Sequence, residues 1–471
     1  MNKRLVTLAM AAALAGCAVT QPVPPKLDLP PGQASAAQNQ LLEHWWTAFN
    51  DPVLNALVEE AFANNLDLKQ ALARIEAARA QVLNAQSYLY PSMNLNGNAG
   101  RSRMSGNTSP PLPPGSQLTS NDYGVSLQAS YELDVWGKYR SGTLAAENDL
   151  VASRYYNEVV RVTVAGDVAT AYFRMRASDA ELAVLNDTLR LRTETVRLQR
   201  DRFDYGVIGE YDLRIAEAER SAVVADIART QQGIAQYEAA IATLVGRSPR
   251  AVFTPEVARG QSIEDVTEVP QLPPGLPSGL VERRPDIRRN EALLAASELR
   301  IQQARANYFP SLNLTGAFGY ESAALSSLFS PGAMLWNIGL GLVQPIIGLK
   351  AIEAQVELAT ARRDDVTAQY AQTVQNAFRE VHDALVAYRA SRDVLAAETD
   401  RRNQVAKAYE VAVLRYDAGR TSFLEVIDAQ RQLLAAETLR IAAARDAKLS
   451  IVDFAKSLGG GWSPEQFTAS R

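Results

Sequence analysis

One cysteine, two histidines and 52 carboxylates are the groups of this chain that could do chemistry. The thiol, Cys17, closes the apolar run LVTLAMAAALAG, which follows Lys3 and Arg4. A positive start and an apolar core of this length form a signal peptide, spanning residues 1–16, and the run is too short to cross a bilayer as a helix. A thiol placed there, before the Pro-rich stretch QPVPPKLDLPPG, suits acylation better than burial in a core. His44 and His382, with a single Cys, cannot build a Cys/His metal site, and one Cys forms no disulfide within the chain. The chain has no GxSxG, HExxH or phosphate-loop motif and, once Cys17 is acylated, no candidate nucleophile. Its carboxylates fall on helix faces, where i,i+4 pairing with Lys and Arg is the ordinary arrangement. The expectation is a protein without catalytic residues, metal or cofactor, apart from a covalent lipid (palmitate-type acyl chains) on Cys17.

Leu14-Ala15-Gly16-Cys17 resembles the bacterial lipobox, in which the cysteine becomes the lipid-modified first residue. Ala18 follows it rather than Asp, which in bacterial lipoproteins permits sorting to the outer membrane. Several acyl chains, at ~0.8 kcal/mol per buried CH₂, would hold the chain firmly to a bilayer. Residues 17–50 then read as a lipidated linker.

The remainder excludes several classes. With 48 Lys+Arg against 52 Asp+Glu and no basic run, nothing points to nucleic acid. Hydrophobic residues make up 47% of the 471, yet no internal stretch is long and apolar enough for a spanning helix.

What must position any functional residue is a plan written twice. YPSMNLNG (90–97) returns as FPSLNLTG (309–316), and RFDYGVIGEYDL (202–213) returns as RYDAGRTSFLEV (415–426). The two copies are 51–283 and 284–471, an internal duplication rather than a short solenoid period. No proline occurs between Pro114 and Pro249 or between Pro345 and Pro464, and these stretches are rich in Ala, Leu, Arg, Glu and Gln. The first copy therefore predicts a long helix at about 137–204 and a shorter one at about 212–245, then a linker, 246–283. The second predicts 349–416 and 422–458. Each long helix has on the order of 67 residues, or ~100 Å. Leu182, Leu185, Leu189, Val196 and Phe203 step by three, four and seven, which predicts a coiled-coil-like apolar seam.

Pro91 and Pro310 end the preceding helices, predicted at 64–88 and 286–307, and the period then changes from 3.6 to 2. Hairpins are predicted at about 91–136 and 310–346. Their four strands carry one apolar face (Met93, Leu95; Leu127 through Val135; Leu312, Leu314, Phe318; Trp336, Ile338, Leu340, Leu342) and one face rich in Asn, Ser and Gly. Each is of membrane-strand length, and Tyr90, Tyr123, Trp136, Phe309, Tyr320 and Trp336 cluster near the ends. A soluble hairpin with one buried face is the alternative; the outer-membrane lipid signal favours lipid. Four strands cannot close a barrel, and open edges in lipid leave backbone groups unpaired, so copies of the chain must complete one another.

The order of helix, [YF]PS-x-N-L-x-G hairpin, E-x-D-x-W-G-K (Glu132–Lys138), long helix, Gly-containing turn and shorter helix, all repeated, resembles the TolC-like outer membrane factors. Cys17 points to the OprM/NodT lipoprotein branch. The resemblance implies a mainly α protein with a membrane β-barrel portion. Three copies would form a 12-stranded barrel in the outer membrane, continued by a long α-helical barrel in the periplasm. It implies an exit duct of a tripartite exporter, partnered by a periplasmic adaptor and an inner-membrane pump of the resistance-nodulation-division type. It further implies an iris at the periplasmic tip, with Leu424, Glu425 and Asp428 ringing the pore. Asp212, Tyr416 and Arg420 would tie neighbouring coils together, Arg420 standing one residue from the family's linking position. Gly206, Val207, Gly209, Gly419 and Ser422 would lie where the adaptor docks. Asp212 and Glu425 also suit plain helix N-termini, where carboxylates meet the helix dipole favourably. A lipid-anchored coiled-coil scaffold without a pore is the competing function, but it has no need of four amphipathic membrane-length strands. Drugs, dyes, solvents and metal ions all remain open as cargo.

Overall fold

The computed structural model describes residues 43–264 and 283–461, apart from 108, 110–112, 114 and 116. Cys17, the signal peptide, the linker up to residue 42, residues 265–282 of the 246–283 connection and the C-terminal residues from 462 onward lie outside the described residues.

A 3₁₀ segment, Trp45–Phe49, leads into helices α1 (Pro52–Asn64) and α2 (Leu66–Ser87) and strands β1 (Ser92–Arg103) and β2 (Thr119–Glu132). The long helix α3 (Lys138–Asp204), α4 (Glu210–Leu244) and the short α5 (Pro249–Phe253) complete the first copy. The second copy supplies α6 (Pro285–Ala306), β3 (Ser311–Ser322), β4 (Met334–Val343), the long α7 (Leu349–Asp417) and α8 (Phe423–Ser457). The long helices have 67 and 69 residues and run unbroken. Among the described residues no helix is long and apolar enough to cross a membrane.

The repeats are not separate bodies. The chain divides into two compact units, and each draws on both copies. One takes Ile75–Ser153 and Asn290–Tyr370; the other takes the described residues before Ile75, those of Arg154–Arg289, and those from Ala371 onward.

The first unit contains the sheet. Its order is β1-β2-β3-β4, all antiparallel. The register aligns Leu95 with Leu127, Leu127 with Phe318, and Phe318 with Trp336, so each strand gives its apolar side to the same face. That face is bare in the single chain: Leu95, Trp336 and Ile338 are 74%, 68% and 77% exposed. β1 and β4 are the two edges. β2 stops at Glu132 rather than running on through Val135, because Asp134 turns to receive the long helix. Its carboxylate accepts from the Tyr139 and Arg140 amides, 3.1 and 2.8 Å away, among the donors left open at a helix start. Glu132 accepts from the Tyr139 hydroxyl at 2.7 Å, and the Trp136 indole donates to the Pro310 carbonyl at 2.8 Å while stacking on Phe309. The E-x-D-x-W-G-K motif is thus the strand-to-helix joint.

The second unit holds the main core. Trp45, Trp46 and Phe49, which the sequence assigned to the linker, are buried there with Leu54, Val58, Val168, Tyr172, Phe173, Met175, Ile241 and Val452. Asp51, 1% exposed, closes this core. Its carboxylate caps α1 through the Val53 and Leu54 amides and accepts from the Tyr172 hydroxyl and the Gln261 amide. Linker residues therefore begin the folded body, because three large aromatic side chains there have helix faces to cover.

Candidate functional site

The two hairpins α3–α4 and α7–α8 end, within the second unit, in turns of one construction. Gly206 and Gly419 have φ of 72° and 68°, a conformation that favours glycine. The Gly206 amide donates to Phe203 and the Val207 amide to Arg202; Gly419 donates to Tyr416 and Arg420 to Arg415. These paired bonds satisfy the last carbonyls of both long helices in the same αL-terminated motif. Gly209 and Ser422 precede the next helices in ordinary extended geometry, with no side-chain cap on either helix. Gly206, Val207, Gly209, Gly419 and Ser422 are all exposed.

Just past the second turn α8 divides its residues by face. Phe423, Val426 and Ile427 are buried with Ala216 of α4, and Val196 of α3 with Tyr409, Val413 and Tyr416 of α7 pack around them. Leu424, Glu425 and Asp428 point the other way and are exposed. Leu424 and Asp428, four residues apart, share one helix face. Glu425 accepts from Arg415 at 3.0 Å and from the Thr421 hydroxyl; Asp428 accepts from Gln432 at 2.6 Å. A carboxylate pair and a leucine are thus presented to the outside of the hairpin.

Within one chain the residues expected to tie neighbouring coils have the following partners. Within the chain the partners of the Tyr416 hydroxyl are Gln199, at 3.1 Å, and Arg202, not Asp212. The Arg202 guanidinium also lies over the Tyr416 ring, 5.3 Å from its centre. Asp212 is half-buried in the first turn of α4. The Arg420 side chain is exposed and meets no carboxylate among the described residues. By the repeat, Arg202 corresponds to Arg415 and Asp212 to Glu425. The second copy pairs its two residues, whereas the first sends its arginine across to Tyr416.

Sequence reasoning missed the polar interior of these hairpins. The most buried line on this part of α3 is Leu185, Arg192 and Gln199, at heptad spacing; it shares only Leu185 with the predicted apolar set, whose last member, Phe203, is 38% exposed. Arg192 donates to the Glu219 carbonyl at 2.6 Å and its guanidinium lies 2.9 Å from the Glu219 carboxylate. Burial pushes this guanidinium below its ordinary value, and Glu219 opposes the shift. Arg431 of α8 donates to the same carboxylate at 2.8 Å. The seven-residue spacing was the available signal.

No group of residues among those described could hold a metal ion. What the arrangement offers is two helical hairpins with exposed glycine turns and a bare-faced sheet, and comparison with known proteins gives it a family. A profile described as outer membrane efflux protein matches residues 57–247 and again 276–460. The chain belongs to the outer membrane efflux protein family. The toluene efflux pump outer membrane protein TtgF of Pseudomonas putida is 32% identical over 98% of both chains. The cation efflux system protein CusC of Escherichia coli K12 is 29% identical over 97% of this chain and 99% of its own. Among solved structures, the Campylobacter jejuni CmeC outer membrane channel superposes with a TM-score of 0.87 at 28% identity, covering 95% of this chain and 97% of that one. The protein is accordingly an outer membrane channel, the exit duct of a tripartite efflux system, and not an enzyme. As a family member it combines a helical barrel portion with a β-barrel portion.

Proposed function

We propose that this efflux protein works as a homotrimer, its three sheets closing one twelve-stranded barrel. The observation that carries this reading is the sheet itself: four strands with two open edges and a bare apolar face. An open edge in hydrocarbon costs several kcal/mol for each unpaired backbone group, and closure by further copies removes it. The helical part lies in the periplasm, where the Gly206 and Gly419 turns dock a periplasmic adaptor together with Val207, Gly209 and Ser422. The adaptor joins the duct to an inner-membrane pump of the resistance-nodulation-division type, which selects the cargo. Leu424, Glu425 and Asp428 form the iris, their exposure on one side of α8 supporting a role outside the hairpin's own core. Asp212, Tyr416 and Arg420 restrain it. Cys17 carries the lipid that anchors the mature chain in the outer membrane.

Light scattering on the full chain in detergent tests the assembly. A trimer is expected; a monodisperse monomer that keeps its full β signal would overturn the barrel. For the anchor, Cys17→Ser should abolish labelling by radioactive palmitate, and label that persists would reject Cys17 as the site.

A further inference from the structure

The sheet sorts its charges by face. Side chains alternate along β1, so Arg101 and Arg103 continue the apolar side that carries Met93, Leu95 and Ala99. The register sets them opposite Asn121 and Thr119 of β2. The acidic residues at this end sit on the other side. Asp122, opposite Gly100, accepts from Asn98 at 2.6 Å, and Glu321 is opposite Gly124. Both arginines are exposed, and neither guanidinium meets a carboxylate among the described residues. They stand at the end of β1 farthest from α2, hence at the outer-leaflet end of an outer membrane channel whose helices are periplasmic.

The surroundings are those of a lipid interface. Tyr123 lies opposite Ala99 on the same face. Phe329, from the β3–β4 connection, packs edge-on against Tyr320, 5.6 Å away, which is also on the apolar face. Leu325 and Phe329 are nonetheless 67% and 72% exposed. Cations beside amphipathic rings and bare apolar side chains suit an anion with an acyl chain attached. A lone arginine on the lipid face of a barrel is unfavourable, less so near the interface. A guanidinium binds phosphate oxygens in bidentate fashion. Side chains two apart on one strand are ~6.6 Å apart, a span that two phosphate groups can engage.

We infer that Arg101 and Arg103 form a docking site for the phosphates of a phosphorylated glycolipid of the outer leaflet, of the lipid A class, with Tyr123 beside them. The inference rests on the barrel reading above.

Native mass spectrometry of the full-length protein in detergent tests it, with bisphosphorylated lipid A, dephosphorylated lipid A and phosphatidylglycerol as probes. Wild-type protein should retain bisphosphorylated lipid A about tenfold or more tightly than either other lipid, as expected for lost charge-assisted bonds. R101Q/R103Q should lose that preference and R101K/R103K keep part of it. Equal retention of the three lipids by wild-type protein, a comparison that needs no variant, would overturn the site. Equal retention of bisphosphorylated lipid A by wild type and an assembled R101Q/R103Q would overturn it too. The same spectra report the oligomer: a wild-type monomer would sink the barrel, whereas a trimer without phosphate preference would sink the lipid site alone.

Discussion

Arg192 of α3 and Glu219 of α4 form a buried ion pair at 2.9 Å, their side chains 5% and 12% exposed. Glu219 also receives Arg431 of α8, so one carboxylate joins the hairpins of both copies. Removing one partner of a buried pair leaves an uncompensated charge, at about 3–5 kcal/mol. Glu219→Ala should therefore lower the thermal midpoint followed by circular dichroism well below that of Arg431→Ala, whose guanidinium is half exposed. Equal midpoints for the two variants would show that Arg192 finds water or another acceptor.

Tyr416 links the hairpins a second time, through Gln199 and Arg202. A neutral hydrogen bond nets ~0.5–1.5 kcal/mol, and one to a charged group ~1.5–3 kcal/mol. Threefold repetition in a trimer would favour the closed tip by several kcal/mol. Tyr416→Phe combined with Arg202→Ala should raise single-channel conductance in planar bilayers. A conductance equal to wild type would place the restraint elsewhere.

Asp428 is exposed beside Glu425 on α8, and three copies around one axis would gather carboxylates at the opening. Such a ring attracts cations. Asp428→Asn should reduce cation selectivity, read as a reversal potential shifted toward zero in a salt gradient, and weaken block by multivalent cations from the periplasmic side. A reversal potential unmoved by the substitution would remove Asp428 from the pore lining.

Glu158 gives a pH-dependent stability of defined sign. Burial raises its carboxyl above the ordinary 4.5, while the Asn157 hydrogen bond and Arg161 lower it less. The folded state then holds the proton more tightly than the unfolded state. Its contribution is fully present below pH 4.5 and is lost as pH rises through the raised value. Glu158→Gln should raise the thermal midpoint at pH 7 and leave it nearly unchanged at pH 4. A gain of equal size at both pH values would mean that packing, not ionisation, is responsible.

The sequence alone determined the features that are local or repeated. Proline-free stretches of good helix formers specify the long helices α3 and α7. Alternation of apolar and polar residues specifies four strands, and Gly206 and Gly419 mark both turns, since a left-handed residue is a single-position requirement. Tertiary structure decided what depends on partners far along the chain. Trp45, Trp46 and Phe49 read as linker because much of the core that buries them, Tyr172, Phe173 and Ile241 among it, belongs to helices more than a hundred residues away. Arg192 and Gln199 look like surface residues on a helix, yet they occupy the seam. A buried guanidinium or amide is tolerated only where an acceptor waits, and theirs are Glu219 and Tyr416. Arg202 and Arg415 are the same residue in two copies of one plan. Their different partners arise because one chain folds the copies against each other, and packing breaks the symmetry that duplication wrote.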